Sequence, residues 1–538
     1  MSTKRLTRRE FLRVASLSSV GLVAAACAPI VVPATEPTKA PIAQSSPAPK
    51  ATQGPRVGGL LRIAGSSDPV SIGYPPLMTI VTSIQAAAPA VETLFRTDSG
   101  GKPVPWLATG EKSDPAAKTL TLTLRQGVEF HDGIDFNAEA VKWNLEQSMA
   151  AKSVGTAQMK SVDVVDDSTV RINLAEWDNT VTSNLALSLG LMISPPAFKK
   201  NGKDWAASNP VGTGPFRFVS WQKGVKTVYK KFDGYWQKGK PYLDGIEWQV
   251  MPDPLTRELA LKKKEVEVVT SLTKQDLAGL EKEGFTVARQ RTGSGAWGAV
   301  FDSANPSSPF SKLKVRQAAQ HAVDTEAIVK SILNGEADAA NQWVGKGHWA
   351  YNPNVVGYPY NSAKAKQLLA EAGYPNGFKT KINYRTNALD DLTFTAVQGY
   401  FKVVGIDAEL VPMQNAAYDQ IALQGGKWEG LMENAVSPNP DVAAAVRDRY
   451  SGGPYFTQML LPDDYVAAVK AAITAPDFDA KQKAGQELMR SMVDNCLQLV
   501  LYYYQDTATS APIAHNHGLF SVPNTAMWTP EEAWLATS

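Results

Sequence analysis

Reactive side chains are scarce in this sequence. Its 538 residues include two cysteines and five histidines, little material for a nucleophile–base pair or a His/Cys metal cage. No G-x-S-x-G, H-E-x-x-H or G-x-x-x-x-G-K-[ST] pattern occurs. The motifs that mark serine hydrolases, zinc proteases and phosphate loops are therefore missing. A charge excess is missing too: 54 Lys and Arg stand against 52 Asp and Glu. The first 50 residues hold seven of the basic and two of the acidic residues, so the remainder is slightly acidic. Such a chain offers no electrostatic footprint for nucleic acid. The apolar stretch of the leader, Val14 to Ala26, has 13 residues, short of the ~20 that span a bilayer.

What is present begins with an address. Thr7-Arg8-Arg9-Glu10-Phe11-Leu12-Arg13 resembles a twin-arginine export motif, and Ala24-Ala25-Ala26-Cys27 resembles a bacterial lipobox. The lipobox has Ala24 where Leu is commonest. Lipidation of Cys27 is the expectation, and cleavage after Ala26 or an uncleaved anchor are the alternatives. Residues 28–56 are rich in Pro, Ala, Thr and Ser. Such a segment buries too little apolar surface to fold, and serves as a tether reaching roughly 30 Å when flexible. With Cys27 lipidated, no intrachain disulfide is possible. Cys496 lies in an apolar run and reads as a buried, inert thiol.

At 538 residues the chain is too long for one core, and two or three domains are expected. Gly59–Ala64 reads as a strand, and Val81–Thr93 has helical spacing that Pro89 interrupts. Thr119–Arg125 alternates strictly, a half-buried strand. Asn137 stands at the N-cap of a helix. Asn209-Pro210-Val211-Gly212-Thr213-Gly214-Pro215-Phe216 stops any helix or central strand, and a strand follows at Phe216–Trp221. Lys364–Gly373 is an amphipathic helix with Gly373 at C′. Short strands alternating with such helices predict α/β lobes.

Several of these segments together carry a resemblance. Thr121 to Gly133 with the Asn137-Ala138-Glu139-Ala140-Val141 helix start, Asn209 to Phe216, Gly234-Tyr235-Trp236, Lys240 to Asp244, Val315 to Ala319 with Ala322-Val323-Asp324, Lys364 to Gly377 and Leu501 to Tyr504 follow in order. This series resembles the family 5 (peptide/nickel type) extracellular solute-binding proteins, the receptors of ABC importers. The likeness runs from about Gly58 to the C-terminus. It implies an α/β, two-lobed periplasmic-binding-protein-like fold (class II, type C) with an extra α/β domain. Lobe one would comprise 57–95, 210–296 and 499–538, the extra domain 96–209, and lobe two 297–498. It implies a monomeric lipoprotein without cofactor or metal, anchored outside the cell membrane, handing a peptide or oligosaccharide to an ABC permease. An extracellular hydrolase and a sensory receptor on the same scaffold are the competing functions.

Two other patterns read as decoys. Gly293 to Gly298 fits G-x-G-x-x-G, but a strand-like run follows where a dinucleotide site needs a helix. His515-Asn516-His517 has no acidic or Cys partner near it and reads as a solvent loop. His131, Asp132 and Arg316 read as scaffold.

An aromatic cleft with a few polar groups is the expected site. Chain position nominates Trp297, Trp343, His348, Trp349 and Tyr351, with Tyr74 from the first loop. Resemblance to a pocket-lining segment adds Trp428, Asn434 and Ser437. Core packing is the competing reading for every one. Peptide-binding members commonly have an Asp within 433–438 and many an Arg near 349–353; neither is present here. A zwitterion would be poorly served, which points to an oligosaccharide or to a longer peptide held by its backbone.

Overall fold

The computed structural model describes residues 54–290, 295–434, 439–503, 505–522 and 528–537. Cys27, Ser437 and the leader motifs lie outside these residues. Among the described residues no helix is long and apolar enough to cross a membrane.

Three sheets organise residues 54–537. The first has seven strands, in the order Thr286–Arg289, Thr507–Ser510, Val268–Thr270, Leu60–Gly65, Gly245–Val250, Lys226–Lys231 and Phe216–Gln222. Leu60–Gly65 runs parallel to both of its neighbours. The second has six strands, in the order Asp338–Ala339, Gln498–Tyr503, Ala296–Phe301, Leu431–Glu433, Phe378–Arg385 and Ile406–Met413. Its last three strands are parallel. The first sheet thus draws on three separate stretches of chain, and the molecule is a two-lobed α/β fold. Gln498–Tyr503 pairs with Ala296–Phe301, so the return to the first lobe falls after Tyr503 rather than at 499.

The third sheet is antiparallel and has four strands, Ala108–Asp114, Thr119–Leu124, Thr169–Leu174 and Met159–Asp166. Alternation in Thr119–Leu124 decides its faces: Leu120, Leu122 and Leu124 are buried. The helix Ala138–Ala150 begins where Asn137 accepts a bond from the Ala140 N–H at 3.0 Å. The helix Ser362–Glu371 is capped by Asn361 and is followed by Gly373 at φ +91°.

The 209–216 stretch joins the first lobe to this third unit, by close approach rather than by a left-handed turn. A Cβ on Gly212 would lie 2.1 Å from the Ala90 carbonyl oxygen, and one on Gly214 would lie 2.6 Å from that of Pro89. Neither glycine has a positive φ. The His131 N–H donates to the Gly212 carbonyl at 2.8 Å, and His131 Nε2 lies 2.9 Å from the Gly214 oxygen. Asp132 accepts from the Ser194 hydroxyl at 2.6 Å. Arg316, 2% exposed, donates to the carbonyls of Phe310, Ser311, Asn495 and Cys496. These three side chains hold scaffold together. Burial pushes the Cys496 thiol up to about 12, which keeps it protonated.

The His515–His517 segment is not a solvent loop. The His515 ring stacks on Trp534 at 4.2 Å, and His517 is buried with Nδ1 accepting from the Leu519 N–H. The glycine-rich fingerprint fails as well, because the strand Ala296–Phe301 and not a helix holds Gly298.

Candidate functional site

Two chain crossings decide which surfaces can face each other. One leaves the first sheet after Arg289 and enters the second at Ala296. The other leaves the second sheet at Tyr503 and enters the first at Thr507. They lie side by side, with the Gln290 N–H donating to the Asp506 carbonyl at 3.0 Å. Register places both at particular sheet edges. Thr507 pairs with Arg289, and Ala508 with Thr270, so this edge of the first sheet carries the C-terminal end of a parallel strand. In the second sheet Ala296 pairs with Tyr503, beside the C-terminal ends of Leu431–Glu433 and Phe378–Arg385. The C-terminal strand edges of both lobes therefore border the crossings. In open α/β sheets ligands bind outside such edges.

On the lobe-two edge the dominant group is a charge pair. Arg385, the last residue of its strand, donates to Glu433 through Nε at 3.0 Å and Nη2 at 2.5 Å, and its backbone N–H donates to the same carboxylate at 2.7 Å. The guanidinium lies over the Tyr418 ring at 4.4 Å and the Trp297 ring at 5.8 Å. Glu433 is fully buried, which pushes its carboxyl up to about 7 against the pull of Arg385. Arg385 keeps 28% of its side chain exposed, so it is the partner that reaches the open edge. Asp390 is buried beside this pair. Its pKa is raised, chiefly by burial, while Asn387, Arg385 and Trp297 pull it down.

On the lobe-one edge lies a cavity of about 90 Å3, lined by Gly65, Ser66, Thr82, Gln85, Trp248, Thr270, Ser271 and Asp506, with Val81 and Phe520. Burial raises the Asp506 carboxyl and Lys274 pulls it down. Lys274 itself donates to the Gln505 carbonyl.

The residues nominated from the sequence do not gather at these edges. Tyr74 packs on Phe198 at 5.1 Å and donates to Gln147 at 3.2 Å, in the core of the first lobe. Trp343, Trp349 and Trp428 belong to a lobe-two core, packed edge-on against Tyr450, Phe478 and Phe456 respectively. Trp343 borders an internal cavity of about 20 Å3, room for about one water. His348 is buried, with Nε2 2.7 Å from the Pro440 oxygen and Nδ1 accepting from the Ala350 N–H. Tyr351 is partly buried, and its carbonyl accepts from Gln486. Asn434 is fully buried. Its amide donates to the Ala296 carbonyl at 2.7 Å and accepts from the Gly298 N–H at 3.2 Å, which ties it to strand backbone. Trp297 alone of the nominated aromatics stands on the edge, half-buried beside Arg385.

Arg385 and Asp506 were missed from the sequence. No motif marks either, and only strand pairing shows that Arg385 ends a parallel strand and that Asp506 sits in a crossing. A lobe boundary drawn at 499 placed Asp506 inside lobe one, away from the transition.

Residues 102–456 match the family described as bacterial extracellular solute-binding proteins, family 5, middle. The glutathione-binding protein GsiB of Salmonella typhi is 35% identical over 350 residues, 63% of this chain and 67% of that one. The ABC transporter substrate-binding protein CtaP of Listeria monocytogenes has the same fold, with a TM-score of 0.79 and 21% identity, covering 89% of this chain and 100% of its own. DppA of Helicobacter pylori, solved in complex with the peptide STSA, superposes with a TM-score of 0.71 at 24% identity, over 89% of this chain and 98% of its own. These relatives are substrate-binding proteins of importers and not enzymes. On the strength of the family match and of the GsiB likeness, this chain belongs to the family 5 bacterial extracellular solute-binding proteins.

Proposed function

We propose that the protein captures a peptide-type solute, a short peptide or a glutathione-like compound, between its lobes and delivers it to an ABC permease. The observation that carries this reading is the pair of crossings that sets two C-terminal strand edges beside one another, one bearing Arg385 and the other Asp506. Arg385, though paired with Glu433, keeps part of its side chain exposed, so a cationic group and an anionic one on opposing edges suit a zwitterion. The absence of Arg from 349–353 and of Asp from 433–438 therefore no longer counts against a short peptide. The case for an uncharged sugar relied on neutral amides such as Asn434, whose amide bonds its own strands. Closure is a hinge motion of lobe two on the crossings. Trp297 lines the lobe-two side, and Ser437 is a candidate contact for the solute. The protein acts as a monomer outside the cell membrane, exported through the twin-arginine motif and held by lipid on Cys27.

The test is thermal unfolding of the purified protein against libraries of tri- to pentapeptides and of oligosaccharides. A bound solute stabilises by mass action, about 2.7 kcal/mol at a hundred times Kd. Peptides are expected to raise Tm and sugars to leave it unchanged. No stabilisation by any peptide ends this reading, and stabilisation by sugars alone restores the oligosaccharide.

A further inference from the structure

The lobe-one cavity holds a set of polar groups that the protein itself leaves unmatched. Trp248 is 2% exposed, and its indole N–H has no partner. The Thr82 hydroxyl, also buried, has none. Both line the cavity, and so does Asp506, whose carboxylate receives no hydrogen bond from the described residues. Lys274 acts on it through its charge. Unmatched donors and a desolvated carboxylate at one small site are costly unless something fills it.

Gly65 keeps the indole accessible. Its φ is not positive, so space and not backbone conformation explains the glycine. A Cβ at Gly65 would lie 2.8 Å from Trp248 Nε1, crowding the N–H at the strand end. Trp248 is also braced from behind by Trp528, at 6.2 Å, which fixes the orientation of its ring.

The three groups define the chemistry of an occupant. A carboxylate favours a positive charge, a hydroxyl accepts or donates, and an indole N–H needs an acceptor. An anion is repelled by Asp506, and an apolar group strands both the N–H and the carboxylate. A volume of about 90 Å3 has room for several waters, enough for an amino group with the carbonyl next to it.

We infer that this cavity is the subsite for a primary ammonium group of the solute, with Asp506 accepting its hydrogen bonds and the Trp248 N–H and Thr82 hydroxyl engaging the oxygen beside it. The assignment rests on the peptide-type reading above and adds direction to it: the solute enters amino end toward lobe one, with its far end toward Arg385.

The experiment uses the full chain and two defined mixtures, tri- to pentapeptides with free amino termini and the same peptides N-acetylated. Retention through gel filtration is read by mass spectrometry of the denatured complex. Wild type is expected to retain the free mixture at least tenfold over the acetylated one, and Asp506→Asn to lose that preference. Trp248→Phe and Thr82→Val, which leave the carboxylate in place and do not depend on Asp506→Asn folding, should each weaken retention of free peptides severalfold while keeping the preference. Equal retention of both mixtures by wild type overturns the subsite and leaves the peptide reading standing, as does a preference that survives in Asp506→Asn. Retention of neither mixture overturns both.

Discussion

Asn434 and His348 show how a polar residue near a cleft becomes structure. Both sit where a ligand contact was expected, and both have their hydrogen-bonding groups engaged by backbone. The sequence cannot reveal this, because an amide that binds a solute and one that ties two strands are the same amide. Burial holds His348 well below its ordinary value of 6.5, at about 4. With the folded pKa below the unfolded one, the unfolded chain takes up the proton first. Stability from the neutral ring is present above pH 6.5 and is lost as pH falls from 6.5 toward about 4. The contribution is on the order of 3 kcal/mol. In thermal melts, His348→Gln should be less stable than wild type at pH 7.5, and the gap should narrow steadily toward pH 4. A gap independent of pH would mean that the ring is not buried neutral.

At the scale of elements, local signals read well and long-range ones did not. The alternation of Thr119–Leu124, the Asn137 cap and Gly373 all depend on neighbours within a few residues, and each is where the pattern put it. Gly212 and Gly214 were legible as a break, but their role depends on the backbone at Pro89–Val91, over 100 residues away. The docking of the third unit onto lobe two was not legible at all. There Asp441 caps the helix Val442–Tyr450, pairs with buried Lys481 and accepts from Ser183 at 2.5 Å. Arg447 pairs with Asp178 beside it. Removing Asp441 loses a cap, typically ~1 kcal/mol, and leaves Lys481 buried without its counter-charge, about 3–5 kcal/mol. In urea unfolding, Asp441→Ala should lose roughly 4 kcal/mol or more, and adding Lys481→Met should restore most of it. A double variant no better than the single one would show that the buried charge is not the cost.

For the molecule as a whole, the resemblance gave the class of protein and its two-lobed fold, and strand pairing then picked out the candidate site. Trp343, Trp349 and Trp428 all pack in one lobe-two core, the competing reading that the sequence leaves open for each. The informative positions were the places where the chain changes sheet. Charge links brace these transitions, with Arg289 of the first sheet paired to Glu336, which precedes a lobe-two strand. On the proposed function, lobes joined by two short crossings separate and close without unfolding, and a receptor that hands its cargo on releases it unaltered. Native mass spectrometry of the protein incubated with a mixture of tri- to pentapeptides tests this most directly. One peptide per protein chain should be retained, and denaturation should release it with its mass unchanged after hours at 37 °C. Recovery of cleaved peptides, or of protein that never carries one, would contradict capture without chemistry.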